Sequence, residues 1–275
     1  MKVDVAVIPA AGRGTRMRPA TRSVPKALLP VVDRPAIQWI VEEAMRAGVG
    51  EVIVVVNPGV DDLLYAHFEG MEGLGALEGF GGVELTWVVQ EEALGLGHAV
   101  LTAREAVGDR SFYVLLGDNL VVPGRDQLGY LGAASDGRAV MCLRALDDEG
   151  LDRYGVIVPG RQLGDRLWEM QGAVEKPGVE EAPSRLGFVG RYLFTPDIFE
   201  ILDGLEPGYG GEIQLTDGID ELARSRGCLG WEADSDLLDV GTPLAYLEAT
   251  TRLGIWHPDT RHAYREFLGA LLDRL

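Results

Sequence analysis

Short apolar runs alternate with helical segments along the first half of the chain, and this alternation restricts the possible folds more than any other feature. The run Val3–Pro9 enters a Gly-rich turn, as a buried strand does. Apolar residues then recur at helical spacing from Ile37 to Met45, and Gly48 ends this helix. The run Glu51–Asn57 completes a strand–helix–strand unit, which predicts parallel strands joined by a right-handed crossover.

The alternation continues to residue 119, whereas strands dominate the second half. The first half adds a strand over Val83–Gln90, a helix over Leu96–Arg104 and a strand over Phe112–Leu116. Four strand-like segments then follow with few helices between them: Ala139–Leu146, Tyr154–Val158, Trp168–Val174 and Gly187–Phe194. The pattern predicts an α/β fold with a Rossmann-like, mixed and mostly parallel central sheet flanked by helices, and a small antiparallel extension covering the first half.

Helix signals return near the C-terminus. The Thr-Pro dipeptides at 195–196 and 242–243 each predict an N-cap followed by proline in the first turn of a helix. Apolar residues between Tyr264 and Leu275 form one stripe, which predicts a final helix over 256–275.

Composition excludes several classes of protein. With 275 residues, 47% of them hydrophobic, the chain can bury a large core. No apolar run approaches the roughly 20 residues of a bilayer span, and the start lacks a signal-peptide pattern, so we expect a cytoplasmic protein. The formal net charge of −18 argues against nucleic-acid and anionic-membrane surfaces. The two cysteines, Cys142 and Cys228, predict neither a disulfide scaffold nor a zinc site.

Basic residues are concentrated in one segment of this acidic chain. Between Ala11 and Ala36 six of them stand against a single acid, Asp33; the six are Arg13, Arg16, Arg18, Arg22, Lys26 and Arg34. This contrast predicts a site for a small phosphorylated ligand. Lysine occurs only at positions 2, 26 and 176, so 25 basic residues less 3 lysines leave 22 arginines. A lysine retained inside such a chain indicates a site that needs a compact ammonium group, or a chance remainder of a biased composition.

The segment Ala10–Arg16 lies between the first strand and the first long helix. Its glycines let backbone N–H groups surround an anion without interference from Cβ atoms. A Walker loop would end in Gly-Lys-Ser/Thr, and a dinucleotide fingerprint needs a glycine where Met17 stands and an acid where Asn57 stands. The segment therefore predicts a triphosphate loop reinforced by arginine, with a simple turn as the alternative.

Nine motifs follow one another along nearly the whole chain: IPAAGRGTRMRPAT, VPKALLPVVDRPAIQWIVEEA, VVQEEALGLGHAV, VLLGDN, YGVI, VEKP, FVGRYLFTP, GGEIQLTD and LDVGTPLAYLEA. In this order they resemble the bacterial UTP–glucose-1-phosphate uridylyltransferases, within the sugar-1-phosphate nucleotidyltransferase superfamily. The resemblance implies the nucleotide-diphospho-sugar transferase fold as one domain over 1–275. It also implies a nucleotide-binding half over 1–135, a sugar-phosphate-binding half over 136–255 and a C-terminal helix over 256–275.

The resemblance assigns the nucleotide to the first half. The backbone around Ala11, Gly12 and Gly14 would hold the nucleotide, while Arg16 and Lys26 would hold the β- and γ-phosphates that leave as pyrophosphate.

Two further nucleoside contacts are implied around the next strand. Gln90 ends that strand, and its amide suits a uracil or thymine edge, although a polar strand end is the alternative. Gly97 would allow close approach of the base. His98 is expected to be hydrogen-bonded locally and not to be catalytic.

The implied metal is Mg²⁺, bound by Asp118 and Asp239. Each aspartate follows an apolar run, as ligand-binding residues do at the carboxyl edge of an open α/β sheet. Mg²⁺ takes one or two carboxylates beside phosphate oxygens and water, so two acids are sufficient. By spacing alone, Asp118 also fits a turn residue, and Asp239 a solvated acid before Thr242.

The implied sugar-phosphate site lies in the second half. Glu175 would accept hydrogen bonds from glucose hydroxyls, and Lys176 would neutralise the attacking phosphate; an exposed ion pair before a proline turn is the alternative. Backbone contacts would frame the hexose at Tyr154, Gly155, Val189 and Gly190. Glu212 would lie on the sugar side, although a helix-start acid is the competing interpretation.

The implied reaction joins UTP and glucose 1-phosphate into UDP-glucose with release of pyrophosphate, a step of carbohydrate metabolism. The expected partners are these small molecules and further copies of the chain, as a homodimer or homotetramer, without nucleic acid or membrane. Ala27 stands where many uridylyltransferases have glutamate, and segment 239–243 resembles thymidylyl- or mannose-type relatives. A thymidylyltransferase that uses dTTP and a non-catalytic sugar-nucleotide sensor therefore remain alternatives.

Overall fold

The structure is a computed structural model that describes residues 3–69, 82–234 and 237–274. Lys2 and Leu275, which entered the sequence predictions, lie outside these residues. The chain divides into two compact units, each assembled from three segments of sequence. Unit one comprises Met1–Gly12, Ala44–Leu116 and Asp126–Asp234, and unit two comprises Arg13–Glu43, Gly117–Arg125 and Ser235–Leu275.

The strands and helices that the sequence predicts are present, together with further elements that it did not predict. The strands are β1 (Val5–Pro9), β2 (Pro30–Val31), β3 (Arg34–Pro35), β4 (Glu51–Val56), β5 (Glu84–Val89), β6 (Phe112–Leu115), β7 (Asn119–Val121), β8 (Ala139–Ala145), β9 (Val156–Gly164), β10 (Leu167–Val174), β11 (Leu186–Phe194), β12 (Cys228–Glu232) and β13 (Leu237–Asp239). The α-helices are α1 (Ala36–Arg46), α2 (Asp61–Glu69), α3 (Leu96–Thr102), α4 (Arg104–Val107), α5 (Gln127–Ala134), α6 (Asp148–Leu151), α7 (Gly178–Glu181), α8 (Asp197–Asp203), α9 (Leu215–Ser225), α10 (Pro243–Trp256) and α11 (Arg261–Leu272).

Within the described residues, unit one contains a nine-stranded sheet in the order β5-β4-β1-β6-β11-β8-β12-β10-β9. The strands from β5 to β6 are parallel to one another, as are β8 and β12, and the other neighbours are antiparallel. Successive residues of a strand point to opposite faces of the sheet, and helices cover both faces at β6. Phe112 stacks on Phe199 of α8 on one side, and the Tyr113 hydroxyl donates to Leu128 O of α5 on the other. The predicted mixed α/β class is confirmed.

The antiparallel strands differ from the prediction in where they lie. They continue the first-half sheet in its own plane and do not cover it, because β11 pairs directly with β6, with Arg191 opposite Leu115. An exposed strand edge offers unpaired N–H and C=O groups, and β11 satisfies those of β6. These antiparallel strands therefore share one hydrophobic core with the parallel strands of unit one.

Several element ends differ from the predictions. The strand predicted from Tyr154 begins at Val156 and runs on to Gly164. The helix predicted from Leu96 ends at Thr102, and α4 follows it. The predicted cap of α10 is confirmed, since Thr242 Oγ1 accepts from Ala245 N at 3.4 Å. The predicted cap at Thr195 is wrong, because the residue that precedes α8 is Pro196, which has no side-chain hydrogen bond to offer.

Unit two is held by a network around the β2–β3 hairpin. Arg34 lies 2.8 Å from Asp33 and 2.9 Å from Glu42, and its guanidinium lies 4.8 Å from the centre of the Trp39 ring. His257, at the end of α10, lies 3.3 Å from the same Asp33 carboxylate. One short hairpin is thereby tied to α1 and to the end of α10.

The final helix was predicted over 256–275, but α10 runs to Trp256 and α11 begins only at Arg261, because Pro258 interrupts the helix between them. None of the residues of α11 is buried, although Tyr264 lies close to Gly254 of α10. No helix in the described parts of the chain has both the length and the apolar character needed to cross a bilayer.

Candidate active site

The glycine loop begins where β1 ends, and its shape depends on Gly14. Gly14 has a φ of 57°, which lies in the left-handed region that favours glycine. A Cβ there would lie 3.2 Å from the Thr21 side chain and 3.3 Å from Lys26 Cβ. Thr21 Oγ1 also donates to Gly14 O at 2.6 Å, so the loop folds back towards Lys26. Ala11 is buried and Gly12 is exposed.

Lys26 and Asp118, both predicted site residues, form a close ion pair in unit two. Lys26 Nζ lies 2.5 Å from Asp118 Oδ2, and the two side chains are 13% and 28% exposed. Burial acts to raise the pKa of Asp118, but the Lys26 ammonium and the Arg16 charge outweigh it, so this pKa lies below its ordinary value. Asp118 is therefore ionised at neutral pH. Its contribution to stability is present above the ordinary carboxyl pKa and is lost as the pH falls through the lowered value.

Asp239 is brought to Asp118 by the pairing of β7 with β13. Asp239 lies opposite Asn119 in this antiparallel pair, and Val240 N donates to Asp118 O at 2.8 Å. The aspartates are thus neighbours in unit two although 121 positions separate them (239 − 118). The structure thus brings the two predicted metal ligands together, and their role stays a prediction.

Gly241 marks the point where this cluster converges. A Cβ on Gly241 would lie 2.7 Å from Asp239 Oδ1, 3.0 Å from Lys26 Nζ and 3.4 Å from an Arg16 guanidinium nitrogen. Two cations and the Asp239 carboxylate therefore surround a residue without a side chain, and Asp118 contacts one of these cations, Lys26. No group of three or more His, Cys, Asp or Glu side chains among the described residues could hold a metal ion.

Gln90 and the glycine segment after it lie at the end of β5 in unit one. The Gln90 amide nitrogen lies 3.3 Å from Gly95 O and 2.8 Å from His98 Nδ1. The prediction that His98 is hydrogen-bonded locally is confirmed. Because the nitrogen of Gln90 serves these two acceptors, its Oε1 is the atom left to accept from a ligand.

Gly97 is held against the segment that precedes α9. Gly97 N donates to Ile213 O at 2.8 Å, and Ile213 N donates to Leu94 O at 2.8 Å. Cβ atoms at Gly95 and Gly97 would lie 2.7 Å and 2.8 Å from Ile213 O. Glycine is therefore required here by the neighbouring backbone, whatever ligand binds.

We expect Gly97→Ala to lower the free energy of unfolding by about 1–3 kcal/mol, because the new methyl group would displace the Ile213 carbonyl that Gly97 N binds. Urea unfolding followed by circular dichroism measures this loss. Gly269→Ala is the control, since a Cβ there meets nothing within 4 Å and alanine favours the helix by up to about 1 kcal/mol. Equal unfolding midpoints for the two variants would contradict the prediction.

Glu175 and Lys176 follow β10 in unit one. Lys176 Nζ lies 2.9 Å from Glu175 Oε1, and Thr216 Oγ1 donates to Glu175 Oε2 at 2.6 Å. Lys176 has a φ of 45°, which is uncommon for a residue with a side chain and is often associated with functional sites. The lysine is 30% exposed, so its ammonium is fixed and also accessible.

Of the four residues predicted to frame the hexose, Tyr154 and Gly155 directly precede β9, and Val189 and Gly190 lie in β11, which pairs with β9. Phe188 N donates to Gly155 O at 2.9 Å, which brings segment 154–155 beside segment 189–190. A bulge in β11 between Phe188 and Tyr192 contains Val189 and Gly190, and bulges of this kind are common beside active sites. A Cβ on Gly155 would lie 3.0 Å from Glu175 Oε2, so this frame also borders Glu175.

Three contacts of this region were missed from sequence. Thr216 binds Glu175, Tyr209 lies over Lys176, and Ile213 pairs with the Gly97 segment. The motif GGEIQLTD contains two of these residues, but no charge or spacing signal distinguishes them. Glu212, predicted on the sugar side, has its carboxylate 3.2 Å from Gln214 Nε2 and its Cβ beside Gly95.

A family model described as nucleotidyl transferase matches residues 5–254. This chain belongs to the nucleotidyl transferase family. Within the family it is 37% identical over 289 residues to UTP–glucose-1-phosphate uridylyltransferase 2 of Staphylococcus saprophyticus. This alignment covers 98% of each chain. It is 37% identical over 295 residues to the UTP–glucose-1-phosphate uridylyltransferase of Bacillus subtilis. This alignment covers 99% of this chain and 98% of the relative.

Solved structures agree with this placement in the nucleotidyl transferase family. A crystal structure of UDP-glucose pyrophosphorylase complexed with UDP-glucose matches 91% of this chain and 98% of its own, with a TM-score of 0.82 and 32% identity. The resemblance to uridylyltransferases and the predicted fold are confirmed.

Proposed function

We propose that this chain is a Mg²⁺-dependent UTP–glucose-1-phosphate uridylyltransferase, which converts UTP and glucose 1-phosphate into UDP-glucose and pyrophosphate. The observation that carries the proposal is the similarity, over 98% of both chains, to a relative with that name. The structure of a similar protein with UDP-glucose bound supports the same product. Two groups of predicted site residues, one in unit two (Arg16, Lys26, Asp118 and Asp239) and one in unit one (Glu175 and Lys176), would provide the chemistry that such a reaction needs.

Asp118 and Asp239 fit a magnesium ion by their chemistry. Both offer carboxylate oxygens, the hard ligands that Mg²⁺ prefers, and the pairing of β7 with β13 places them together. When bound, Mg²⁺ would supply positive charge that offsets the repulsion between the two phosphorylated substrates. Lys26 is the cation beside Asp118 in this structure, so it would share that carboxylate with the metal.

Arg16 and Lys26 would bind the β- and γ-phosphates. Both cations face the Gly241 position, and the negative charge that develops on departing pyrophosphate would be stabilised there. The bond that breaks joins the α-phosphorus to the oxygen of the leaving pyrophosphate. A fixed pair of cations favours that bond breaking because no reorganisation is needed when the charge appears.

Lys176 would bind the phosphate of glucose 1-phosphate, whose oxygen attacks the α-phosphorus in line. The phosphate is already ionised at neutral pH, so the attack needs no general base. Glu175 keeps acceptor capacity after binding Lys176 and Thr216, since a carboxylate has about four lone-pair sites, and it would accept from hexose hydroxyls. Holding the reactants in this geometry is the main contribution of such residues.

The predicted site residues do not distinguish a uracil base from a thymine base. Oε1 of Gln90 would accept the N3–H of uracil, and it would accept that of thymine equally. The segment 239–243, which resembles thymidylyl- and mannose-type relatives, favours dTTP as the second candidate. A sensor without activity is less favoured because Lys26, Asp118, Lys176 and Asp239 are all present.

A pyrophosphate-release assay tests the proposal. UTP, dTTP, ATP and GTP are each combined with glucose, galactose and mannose 1-phosphate, with and without Mg²⁺. We expect turnover with UTP and glucose 1-phosphate that requires the metal. A strong preference for dTTP would make the protein a thymidylyltransferase, and no turnover with any pair would favour the sensor. The cytoplasmic location stays a prediction. The homodimer or homotetramer also stays a prediction, and light scattering would measure the molar mass that decides it.

A further inference from the structure

A glycine-rich loop over residues 208–214, here called the tyrosine loop, connects α8 to α9 in unit one. Gly208 N donates to Glu212 O at 2.9 Å and Gly211 N donates to Gly208 O at 3.0 Å, so the loop closes on itself. Its tip presents Tyr209, whose side chain is 61% exposed. Tyr209 is therefore open to solvent at the tip of a closed loop.

The backbone of the tyrosine loop is fixed at both ends. Gln214, which is 9% exposed, donates from Nε2 to Tyr209 O at 3.0 Å. Ile213 exchanges hydrogen bonds with Leu94 and Gly97, as described above. Tyr209 is therefore presented from a held backbone, which limits the entropy lost when its ring orders a neighbouring group.

The ring of Tyr209 lies over the ammonium group of Lys176. The Lys176 Nζ atom is 5.0 Å from the ring centroid, within the range of a cation–π contact. The same ammonium lies 2.9 Å from Glu175, which Thr216 holds in turn. A carboxylate and a ring thus fix the position of Nζ, and an ammonium with three N–H donors keeps donors for an anion.

We propose that Tyr209 is a positioning residue that holds the Lys176 ammonium for an incoming sugar 1-phosphate. The proposal rests on the role of Lys176 in the proposed function. A ring suits this task because it attracts a cation without carrying net negative charge. A second carboxylate at the position of Tyr209 would hold the ammonium equally well but would repel the phosphate.

A lysine-selective NMR spectrum tests the contact without any turnover. The chain has three lysines, so ¹³C-lysine labelling gives three Cε–Hε signals, and Lys176→Arg identifies one of them. In the ligand-free protein we expect the Lys176 signal to be shifted upfield by the ring current of Tyr209. The shift should remain in Tyr209→Phe and disappear in Tyr209→Leu. A Lys176 signal unchanged by Tyr209→Leu would overturn the proposal.

Titration of the same signal with glucose 1-phosphate measures the consequence. We expect Tyr209→Leu to weaken binding by about two- to fivefold, the range that an exposed cation–π contact supports, and Tyr209→Phe to restore it. In the assay the change should be in KM for the sugar phosphate, with kcat and the KM for UTP within about twofold. Tyr65→Leu, at a tyrosine of α2 that is 50% exposed, is the matched control. It should change neither the binding of glucose 1-phosphate nor the KM for this substrate.

The outcomes separate this proposal from the proposed function. A ring-current shift together with weaker binding in Tyr209→Leu supports the positioning role even if no substrate pair is turned over. Normal turnover together with unchanged binding in Tyr209→Leu supports the enzyme and rejects the positioning role.

Discussion

Lys176→Ala is expected to lower turnover with UTP and glucose 1-phosphate by roughly 10²-fold or more. The substitution removes the ammonium that would neutralise the attacking phosphate, so that the two anions would repel each other as they approach. The fold should survive, because Lys176 is 30% exposed and Glu175 keeps its hydrogen bond from Thr216. Steady-state pyrophosphate release measures the effect, and thermal unfolding by circular dichroism checks the fold.

Two companion variants show whether position or charge matters at Lys176. Lys176→Arg keeps the charge but places a larger planar group on a backbone with a φ of 45°, so we expect only partial recovery. Arg161→Ala removes an exposed cation from β9, where it pairs with Glu169, and should leave turnover unchanged. Near-wild-type turnover in Lys176→Ala would show that the lysine does not bind the attacking phosphate.

The apolar pattern of the sequence predicted the strands of the sheet well, because burial determines both the pattern and where the strands lie. The run that contains Val5–Pro9 and the run Glu51–Val56 are buried strands with neighbours on both sides in the sheet, and such strands read as continuous apolar segments. The place of β11 could not be predicted in this way. The paired residues of its partner β6 lie 76 (191 − 115) to 82 (194 − 112) positions earlier in sequence, and hydrogen bonds between distant segments leave no mark on local composition.

The charged residues of the predicted site are distinctive in the sequence, but their contacts could not be predicted from it. The scarcity of lysine drew attention to Lys26 and Lys176, and the strand ends to Asp118 and Asp239. The ion pair of Lys26 with Asp118 spans 92 positions, so no spacing rule reveals it.

The contacts of Tyr209 and Thr216 depend on how the tyrosine loop folds. That fold is set by glycine conformations and by backbone hydrogen bonds to the segment 94–97, which side-chain chemistry does not encode. This is why the residues that orient Glu175 and Lys176 became visible only in three dimensions.

Asp118→Asn tests the predicted site residues of unit two. It is expected to lower turnover by roughly 10²-fold or more at saturating Mg²⁺. Asparagine has nearly the same shape but no charge, so it binds a divalent cation more weakly. It also leaves the ammonium of Lys26 with a neutral partner, although an amide oxygen can still accept its hydrogen bond. We therefore expect the loss to be in turnover more than in fold.

The control for Asp118→Asn is a carboxylate with a similar electrostatic setting. Hydrogen bonds from Arg138 lower the pKa of Asp136, as the Lys26 ammonium does for Asp118, but Asp136 lies on an exposed turn. Asp136→Asn should leave turnover and its Mg²⁺ dependence unchanged. Binding of Mn²⁺ in the presence of UTP, measured by electron paramagnetic resonance, should weaken in Asp118→Asn alone. If both variants bound Mn²⁺ as tightly as the wild type, the metal would have to be held by residues other than Asp118.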